Sequence, residues 1–491
     1  MLTKEKIQQL NWQPIVKQFE AVVGKNSVMQ RREELITYEC DGLTSYRQRP
    51  AVVVLPRTTE QVAEILKICD RNNIGWVARG AGTGLSGGAL PVEDCVLIVT
   101  ALMSKILSID LENQRVVVQP GVINNWVTLA VSGAGFFYAP DPSSQIICSI
   151  GGNVAENSGG VHCLKYGVTT NHVLGLKIVT PDGSIVDIGG ELPEMPGYDL
   201  TGVFVGSEGT LGVATEITLK IVKVPESICV ILADFNTVEE AGGAVSDIIS
   251  SGIIPGGIEM MDNFSINAVE DVVGTNCYPR DAGAILLVEI DGLQVEVDTN
   301  KKLISEICLK NGARTITSAS DPETRLKLWK GRKAAFAAMG KISPDYYVQD
   351  GVIPRTKLPY VLKQIEELGK KHGYYVANVF HAGDGNLHPL ILYDNAVHGA
   401  LEQVEELGGE ILKLCVKVGG SISGEHGIGA DKRCYMPEMF SETDLETMQW
   451  VRQVFNPKGL ANPGKIFPTP RTCGEGAKVN TNKNFESIER F

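Results

Sequence analysis

Two histidines in the C-terminal half, His381 and His388, flank an Asp384-Gly385 pair. The residues on either side have the apolar and β-branched composition of strands, and Asp-Gly is a strong signal for a tight hairpin turn. A turn centred on this pair would set His381 directly opposite His388, with their Cβ atoms roughly 5 Å apart on one face. Two imidazoles so placed, joined by a carboxylate from elsewhere, predict a three-ligand metal site that leaves positions open for a substrate.

A second group of chemically useful residues follows at Ser423-Gly-Glu425-His426-Gly. Adjacent residues on extended backbone point their side chains in opposite directions, so Glu425 and His426 could serve a metal and a substrate separately. The alternatives are a solvated loop for this pair and ordinary hydrogen-bonded histidines for the hairpin. Two histidines in register, together with a glycine-flanked Glu-His pair, favour a functional site.

A third feature is the stretch 78–91, which follows an apolar strand and has five glycines between positions 80 and 88. It contains G-x-G-x-x-G at Gly82, Gly84 and Gly87, the spacing of a dinucleotide-binding fingerprint. No helix is predicted after Gly87, because Gly88-Ala-Leu-Pro leads directly into another strand. We therefore interpret the fingerprint as a false match. The backbone amides of such a loop can still bind a pyrophosphate without a helix dipole.

Composition limits the class of protein. The chain has 491 residues, 43% hydrophobic and 21% charged, which predicts a soluble globular protein of two or three domains. The net charge of −13 argues against a nucleic-acid-binding surface. No secretory signal is visible, and the longest apolar run, Cys95 to Met103, is too short to span a bilayer. Eleven cysteines without a C-x-x-C pair indicate reduced thiols in a cytoplasmic-type compartment and argue against a ferredoxin-type iron–sulfur cluster in this chain.

The elements that must position these residues follow two patterns. Up to about residue 225, short strands alternate with a helix near 59–72 and with an irregular glycine-dense stretch near 138–170. Beyond Pro225, strands alternate with long amphipathic helices, which predicts an α+β layer with an antiparallel sheet. Strands are expected at 230–234 and 286–289, and helices at 238–251, 295–310, 322–339, 357–371, 401–418 and 442–455.

The glycine-rich motifs resemble those of a known family. The segments 78–91, 140–144, 149–153, 157–160 and 206–212 are similar to the flavin domain of the vanillyl-alcohol oxidase superfamily. The hairpin histidines and the Glu425-His426 pair resemble its D-2-hydroxyacid dehydrogenase branch, in particular the FAD-linked subunits of bacterial glycolate oxidases. The resemblance implies an α+β fold, in which a two-part PCMH-type FAD-binding domain precedes an α+β cap domain with an antiparallel sheet and a C-terminal helical segment that returns to the flavin.

The domain boundaries expected from this resemblance are an N-terminal helical segment at 1–46, the FAD-binding domain at 47–225, the cap domain at 226–430, the C-terminal helical segment at 431–470 and a polar tail at 471–491. FAD is the implied cofactor. Some superfamily members tether the flavin through a histidine near the phosphate loop, but loop 78–91 has none, so we expect dissociable FAD.

The residues implied to bind FAD form three groups. They are Arg79, Gly80, Ala81, Gly82, Thr83, Gly84, Leu85, Ser86, Gly87 and Gly88 around the pyrophosphate; Pro142, Ser149, Gly152, Asn153, Ser158, Gly159 and Gly160 along the isoalloxazine and ribityl chain; and Gly206, Glu208 and Val213 near the adenosine half, together with Asn462.

Oxidation of a 2-hydroxyacid needs a cation to bind the substrate, a base for the hydroxyl proton and flavin N5 to take the Cα hydride. We assign His381, His388 and Glu425 to a divalent cation, for which zinc, manganese and iron are all compatible. His426 is assigned as the general base, since a neutral imidazole can accept the proton of a cation-bound alcohol near pH 7.

Arg332 matches a position that binds the substrate carboxylate in relatives, where a guanidinium can hold both oxygens. The alternative is an ordinary arginine on the surface of a helix. Relatives that take dicarboxylates carry a polar residue where this chain has Leu390, and a lysine where it has Gln349. Both differences favour a small monocarboxylate, glycolate or D-lactate.

The expected function is therefore FAD-dependent oxidation of glycolate, with D-lactate as a second candidate, to the 2-oxoacid. The resemblance also implies iron–sulfur and second flavin-type partner subunits with quinone downstream, a cytoplasmic location and only indirect membrane contact. Two alternatives stay open: a stand-alone FAD-linked D-lactate dehydrogenase, and a non-catalytic flavin-binding subunit of an oxidase complex. The hairpin histidines and the Glu425-His426 pair argue against the second alternative.

Overall fold

A computed structural model describes residues 10–192, 196–274 and 276–468; the polar tail expected at 471–491 lies outside these ranges. The first part of the chain is built on short strands: β1 (Val28–Met29), β2 (Val52–Val54), β3 (Trp76–Arg79), β4 (Val96–Val99), β5 (Ile106–Asp110), β6 (Arg115–Val118), β7 (Phe136–Phe137), β8 (Val173–Val179), β9 (Ile185–Gly189), β10 (Val213–Lys220) and β11 (Val222–Lys223). Its helices are α1 (Trp12–Val23), α2 (Arg32–Leu35), α3 (Thr59–Arg71), α4 (Asn124–Val131), α5 (Ile150–Glu156), α6 (Cys163–Tyr166) and α7 (Leu200–Phe204).

These strands form two main sheets. The first has the order β1-β2-β4-β3 with parallel pairing of β2 and β3 to β4, and the second is antiparallel with the order β5-β6-β10-β8-β9. Helix α3 covers the first sheet, because Val62, Ile65, Leu66 and Cys69 recur at helical spacing and are all buried. After β3 the glycine-rich loop runs to β4 without a helix, so the G-x-G-x-x-G is confirmed as a false fingerprint.

The second part contains one large sheet, with strands β12 (Ser227–Phe235), β13 (Gly257–Asp262), β14 (Ala284–Gly292), β15 (Thr315–Ala319), β16 (Asp345–Val348), β17 (Gly351–Val352), β18 (Val376–His381), β19 (Asn386–Leu387) and β20 (Pro389–Tyr393). Its order is β15-β12-β14-β13-β18-β19-β17, and β20 pairs with both β16 and β18; every pairing is antiparallel.

Helices cover both faces of this sheet, as the alternation along β12 requires. Cys229, Ile231 and Phe235 contribute to one core, whereas Val230 and Leu232 contribute to the other. The helices of this part are α8 (Val238–Ser250), α9 (Asn263–Val273), α10 (Gln294–Lys310), α11 (Pro322–Met339), α12 (Leu358–His372), α13 (Ala400–Lys417), α14 (Met436–Met439) and α15 (Glu442–Phe455). Helices α8, α10, α12 and α13 pack on the first face, and α9 and α11 pack on the second.

The antiparallel sheet and all six helices predicted beyond residue 225 are confirmed, with ends shifted by a residue or two. The sequence pattern missed β13 and α9, because a short strand containing Glu259 passes directly into a helix capped by Asp262 with no turn residues between them. Among the described residues, no helix is long and apolar enough to cross a membrane.

The predicted register of the histidine hairpin is wrong by two residues. His381 pairs with Asn386, not with His388, because Ala382 to Gly385 form a four-residue loop. Gly385 ends this loop with φ +80°, and Asp384 Oδ1 accepts the backbone N–H of Asn386 at 3.1 Å. A shift of two keeps every side chain on its face of the sheet. The two imidazoles therefore become diagonal neighbours, with ring centroids 5.0 Å apart.

Candidate active site

A cavity of about 490 Å³ runs from the glycine-rich loop to the histidine hairpin. The predicted FAD-binding residues that line it are Arg79, Gly80, Ala81, Gly82, Thr83, Gly84, Leu85, Gly88, Pro142, Ser149, Gly152, Asn153, Ser158, Glu208 and Val213. Phe336, His388, Glu425 and His426 also line it. The structure therefore brings the glycine motifs and three of the four predicted hairpin and Glu-His residues to one cavity.

The remaining predicted FAD-binding residues lie outside this cavity wall. Gly159 and Gly160 line a separate cavity of about 150 Å³ together with His381, and Glu425 borders both cavities. Asn462 is buried behind the glycine-rich loop, where its Nδ2 donates to the carbonyls of Gly88 and Glu208 at 2.8 and 2.5 Å. Ser86, Gly87 and Gly206 line neither cavity. The sequence in turn missed several lining residues, including Glu156, Cys148 and Phe336.

The carboxylate of Glu425 lies among three imidazoles. Its Oε1 is 3.2 Å from Nε2 of His381, 3.3 Å from Nε2 of His388 and 3.9 Å from Nε2 of His426. The ring of His426 stacks on that of His388 at 4.9 Å and 9°, and Phe336 packs edge-on against His388 at 6.1 Å. Nδ1 of His388 is buried without a hydrogen-bond partner among the described residues. Nε2 faces two carboxylate oxygens, Glu425 Oε1 at 3.3 Å and Asp350 Oδ1 at 3.5 Å, so this ring has ligand positions to offer.

Burial and neighbouring charges separate the protonation behaviour of these groups. Burial lowers the pKa of His426 to about 4, and the repulsion of a charged His388 adds to this effect. Burial tends to raise the pKa of Glu425, but His381 and His388 more than offset it, so this pKa lies well below its ordinary value. At neutral pH the cluster therefore pairs an ionised carboxylate with an uncharged His426.

His381 is oriented from behind by a residue that the sequence pattern missed. Glu259 lies opposite His381 in the pairing of β13 with β18, and its Oε1 is 2.6 Å from Nδ1 of His381. The other oxygen, Oε2, accepts from Nε of Arg332 at 2.7 Å and lies 2.6 Å from its Nη2. A carboxylate behind the imidazole fixes the ring orientation and tautomer, as in metal sites.

Arg332 is 2% exposed and does not line the cavity. It is therefore not the helix-surface arginine that was the alternative. Its side chain contacts Glu259, and its backbone N–H donates to the hydroxyl of Tyr278 at 3.1 Å. The assignment of Arg332 to the substrate carboxylate stays a prediction. Leu390 and Gln349 are fully buried and also do not line the cavity.

A second missed carboxylate, Asp350, holds the loop that carries Glu425 and His426. Its Oδ2 accepts the backbone N–H groups of Gly424 at 3.0 Å and of His426 at 2.9 Å, and the hydroxyl of Ser423 at 2.7 Å. Nζ of the buried Lys432 donates to the same oxygen at 3.0 Å. Burial tends to raise the pKa of Asp350, but Lys432 and His426 hold it well below the ordinary value.

Residues 50–189 match the family described as FAD binding domain, and residues 224–466 match FAD linked oxidases, C-terminal domain. The chain is 52% identical to glycolate oxidase subunit GlcD of Escherichia coli K12, over 94% of this chain and 93% of that protein. The chain belongs to the FAD-linked oxidases. The GlcD subunit of Bacillus subtilis is 38% identical over 88% of this chain and 92% of its own length, and a D-lactate dehydrogenase of Anaerostipes hadrus is 33% identical over 86% and 90%.

Two solved structures share the fold. 4-Ethylphenol oxidase from Gulosibacter chungangensis superposes with a TM-score of 0.77 at 18% identity, covering 93% of this chain and 97% of that one. p-Cresol methylhydroxylase superposes with a TM-score of 0.77 at 17% identity, covering 92% and 96%. The comparisons confirm the resemblance, the α+β fold class and the expectation of an FAD-dependent oxidoreductase.

The cavity of this FAD-linked oxidase fits its cofactor. The glycine-rich loop presents bare backbone to the cavity; at Gly84, an added Cβ would meet only Glu156 Oε1, at 3.9 Å. At Gly80 the same addition would come within 2.0 Å of Ser149 Oγ, so this glycine is needed for the loop to approach α5. Amides of such a loop can bind the pyrophosphate without a helix dipole.

Asp350→Asn is predicted to lower the free energy of unfolding of the FAD-loaded protein by about 3–5 kcal/mol, because Lys432 becomes an unpaired buried cation. The double variant Asp350→Asn/Lys432→Met should recover most of that loss, since it removes the stranded charge as well. Urea unfolding followed by circular dichroism measures both. Asp187→Asn, an exposed control, should stay within about 0.5 kcal/mol of the parent. Equal destabilisation in the single and double variants would show that the Asp350–Lys432 pair is not the cause.

Proposed function

We propose that this FAD-linked oxidase oxidises glycolate to glyoxylate, with D-lactate as a second substrate, and that a divalent cation assists. The observation that carries the proposal is the convergence of three imidazoles on the Glu425 carboxylate at one end of the FAD cavity. The names of two relatives, glycolate oxidase subunits 52% and 38% identical to this chain, support the choice of substrate.

The separations within the cluster support the cation. Two ligand atoms that share one ion at bond lengths of about 2.0–2.2 Å lie roughly 3.0–3.5 Å apart. Glu425 Oε1 is 3.2 Å from the ligand nitrogen of His381 and 3.3 Å from that of His388. Nε2 of His388 faces two carboxylate oxygens, Glu425 Oε1 at 3.3 Å and Asp350 Oδ1 at 3.5 Å.

A second set of residues could compete for a cation. Asp350, His388 and His426 also offer ligand atoms within 4.8 Å of one another. Asp350 Oδ1, which lies 3.5 Å from Nε2 of His388, already accepts the backbone N–H of Glu425 at 3.2 Å. Asp350 Oδ2 accepts backbone N–H groups of Gly424 and His426, a serine hydroxyl and the Lys432 ammonium. Glu425 Oε1 contacts the imidazoles of His381, His388 and His426, and the first two would become ligands rather than hydrogen-bond donors. We therefore favour His381, His388 and Glu425 for a zinc, manganese or iron ion, with Glu259 orienting His381.

When bound, FAD accepts the Cα hydride and the cation lowers the pKa of the substrate hydroxyl. His426 takes the hydroxyl proton, for which its imidazole is available because its pKa of about 4 leaves it neutral near pH 7. The C–H bond of the substrate breaks with its electron pair and the carbonyl bond forms. His388 and Phe336 flank the place where the substrate would lie and limit its size.

The substrate carboxylate still needs a cation, and Arg332 remains our candidate for that role. Its contacts support a second role as well, the orientation of Glu259 behind His381. The preference for a small monocarboxylate rests on Leu390 and Gln349. Both are buried and do not line the cavity, so they would influence substrate choice indirectly, through the residues that do line it.

The reduced flavin must pass its electrons on. We infer iron–sulfur and second flavin-type partner subunits, with quinone as the final acceptor, because the sequence has no C-x-x-C pair and relatives carry the word subunit in their names. A cytoplasmic location, with membrane contact only through those subunits, is part of the same proposal.

A stand-alone D-lactate dehydrogenase is the second candidate, favoured by the relative of that name at 33% identity.

The experiment that tests the proposed function is anaerobic addition of glycolate or D-lactate to the purified protein, with the bleaching of flavin absorbance followed over time. Faster bleaching by glycolate supports the first candidate. Faster bleaching by D-lactate supports the second, and bleaching by neither acid would leave the non-catalytic subunit.

FAD should be held without a covalent bond, because loop 78–91 contains no histidine. The ring of His162 is not free for attachment, since it lies between Asp141 at 2.8 Å and Glu289 at 2.9 Å. Acid precipitation should leave the yellow colour in the supernatant. Colour that stays with the denatured pellet would contradict this expectation.

His381→Ala and His388→Ala should lose bound metal and activity but keep FAD, because the hairpin belongs to the second part of the chain. His426→Ala should keep metal and FAD, yet reduce its flavin about 10²–10⁴-fold more slowly, the usual loss for a general base. Metal analysis and single-turnover bleaching measure the two effects.

The matched control for these variants is His372→Ala. His372 lies on α12 in the same part of the chain and contacts Glu410 at 3.1 Å. It should keep metal, FAD and rate. Loss of metal from His426→Ala would assign the ion to the Asp350 set instead, and flavin reduction at the parental rate in that variant would remove His426 from the reaction.

The isolated chain should reduce artificial dyes after substrate addition but react slowly with quinone, because electrons leave through the partner subunits. Rates with a dye and with a soluble quinone, measured on the same preparation, test this. Rapid reduction of the quinone by this chain alone would contradict the need for partners.

A further inference from the structure

One carboxyl group in the FAD cavity has no role in the reaction described above. Glu156 is the last residue of α5, and its side chain lines the cavity. The chain leaves the helix through Asn157 in the left-handed conformation, with φ 53°. This sharp exit places the carboxyl group between the glycine-rich loop and the loop that follows His426.

The fit of Glu156 between these loops is close. A Cβ added at Gly88 would come within 2.2 Å of Glu156 Oε1, and one added at Gly427 would come within 2.1 Å of Oε2. Because glycine has no Cβ, these two positions leave the space that the carboxyl group of Glu156 occupies. The Oε2 atom of Glu156 is buried, and it has no hydrogen-bond partner among the described residues.

A neighbouring carboxylate differs from Glu156 in its contacts. Glu208 accepts the backbone N–H groups of Ile428 and Gly429, each at 2.7 Å. Two such donors stabilise a carboxylate anion. Among the described residues, no backbone N–H donates to Glu156 in this way. Of the two neighbouring carboxyl groups, Glu208 is therefore the one suited to be ionised and Glu156 the one suited to hold a proton.

The charged groups around Glu156 also favour its protonated form. Burial raises its pKa well above the ordinary value, and the carboxyl groups of Glu208 and Asp41 raise it further; Lys432 and Lys465 lower it by less. Both ammonium groups have other partners. Lys432 donates to Asp350 at 3.0 Å, and Lys465 donates to the carbonyl of Leu90 at 2.8 Å.

The cofactor makes an ionised Glu156 still less favourable. The pyrophosphate of FAD carries two negative charges, and Glu156 Oε1 lies against the glycine-rich loop that would bind it. An unpaired buried carboxylate beside a phosphate would be strongly repelled, whereas a protonated carboxyl group is a hydrogen-bond donor to a phosphate oxygen.

We propose that Glu156 is an uncharged carboxylic acid in the loaded protein and donates its proton in a hydrogen bond to a pyrophosphate oxygen of FAD. FAD affinity is then linked to one proton. It is highest while Glu156 is protonated and falls as pH rises through the pKa of this group, by up to tenfold per pH unit. The proposal rests on FAD binding and not on the identity of the substrate.

The test compares Glu156→Gln with Glu156→Leu. Glutamine keeps the shape and a donor but cannot ionise, so its FAD dissociation constant at pH 7 should stay within about threefold of the parent and should lose the parental rise at high pH. Leucine removes the donor and should weaken binding at least tenfold. Fluorescence titration of the apoprotein with FAD between pH 6 and 9 measures the constants, and no substrate is needed.

A second measurement does not depend on the variants binding well. The infrared spectrum of the loaded parent should contain the carbonyl band of a protonated carboxylic acid that responds to FAD and is missing in Glu156→Gln. Glu216→Gln is the control, because Glu216 pairs with Lys177 at 3.0 Å on the antiparallel sheet of the first part and does not line the cavity. It should keep the parental affinity and pH dependence.

Three results would overturn the proposal: equal FAD affinity in Glu156→Leu and the parent, much weaker binding in Glu156→Gln than in the parent, or an unchanged infrared band in Glu156→Gln. None of these results would contradict the proposed oxidation of glycolate. Failure of flavin bleaching by either hydroxyacid, in contrast, would remove the proposed function without affecting the role of Glu156.

Discussion

Two buried carboxylates accept hydrogen bonds from the backbone of the loop 424–429, and the geometry of the candidate active site depends on these hydrogen bonds. Asp350, from the second part of the chain, accepts N–H groups of Gly424 and His426, and Glu208, from the first part, accepts those of Ile428 and Gly429. Both parts of the molecule therefore meet at a run of six residues. Because a carboxylate that accepts several N–H groups fixes backbone direction, the loop places Glu425 and His426 at the end of the FAD cavity with little freedom.

This arrangement concentrates negative charge at the cation site that we propose, and hydrogen bonds stabilise the other carboxylates. Among the described residues, Glu425 faces imidazoles and no lysine or arginine, while Asp350 has Lys432 and Glu259 has Arg332. In the described part of the chain, no N–H donor, lysine or arginine contacts the carboxyl group of Glu156, and we expect this group to carry a proton. The type of partner thus distinguishes four acids: a proposed metal ligand (Glu425), two orienting groups (Asp350 and Glu259) and a proposed neutral donor (Glu156).

Sequence patterns predicted the elements whose signals lie within a short stretch of the chain. The helices of the second part follow from their periodicity, and the glycine-rich loop follows from five glycines without a helix signal after them. The orienting acids could not be predicted in the same way. Glu259 and His381 are 122 residues apart in the chain, and Glu208 and Ile428 are 220 apart, so no spacing rule connects them. The hairpin register failed for a local reason: Gly385 ends a four-residue loop, whereas the Asp-Gly rule assumes a two-residue turn.

The position of Arg332 changes how a substitution there should be interpreted. If its guanidinium only held the substrate carboxylate, a shorter or uncharged side chain would weaken substrate binding and leave the proposed metal ligands as they are. In this structure the same guanidinium neutralises Glu259, whose other oxygen orients His381. Removing it leaves a buried carboxylate that draws a proton from its surroundings, so His381 would be disturbed as well. Loss of activity in such a variant is therefore not, by itself, a measure of substrate recognition.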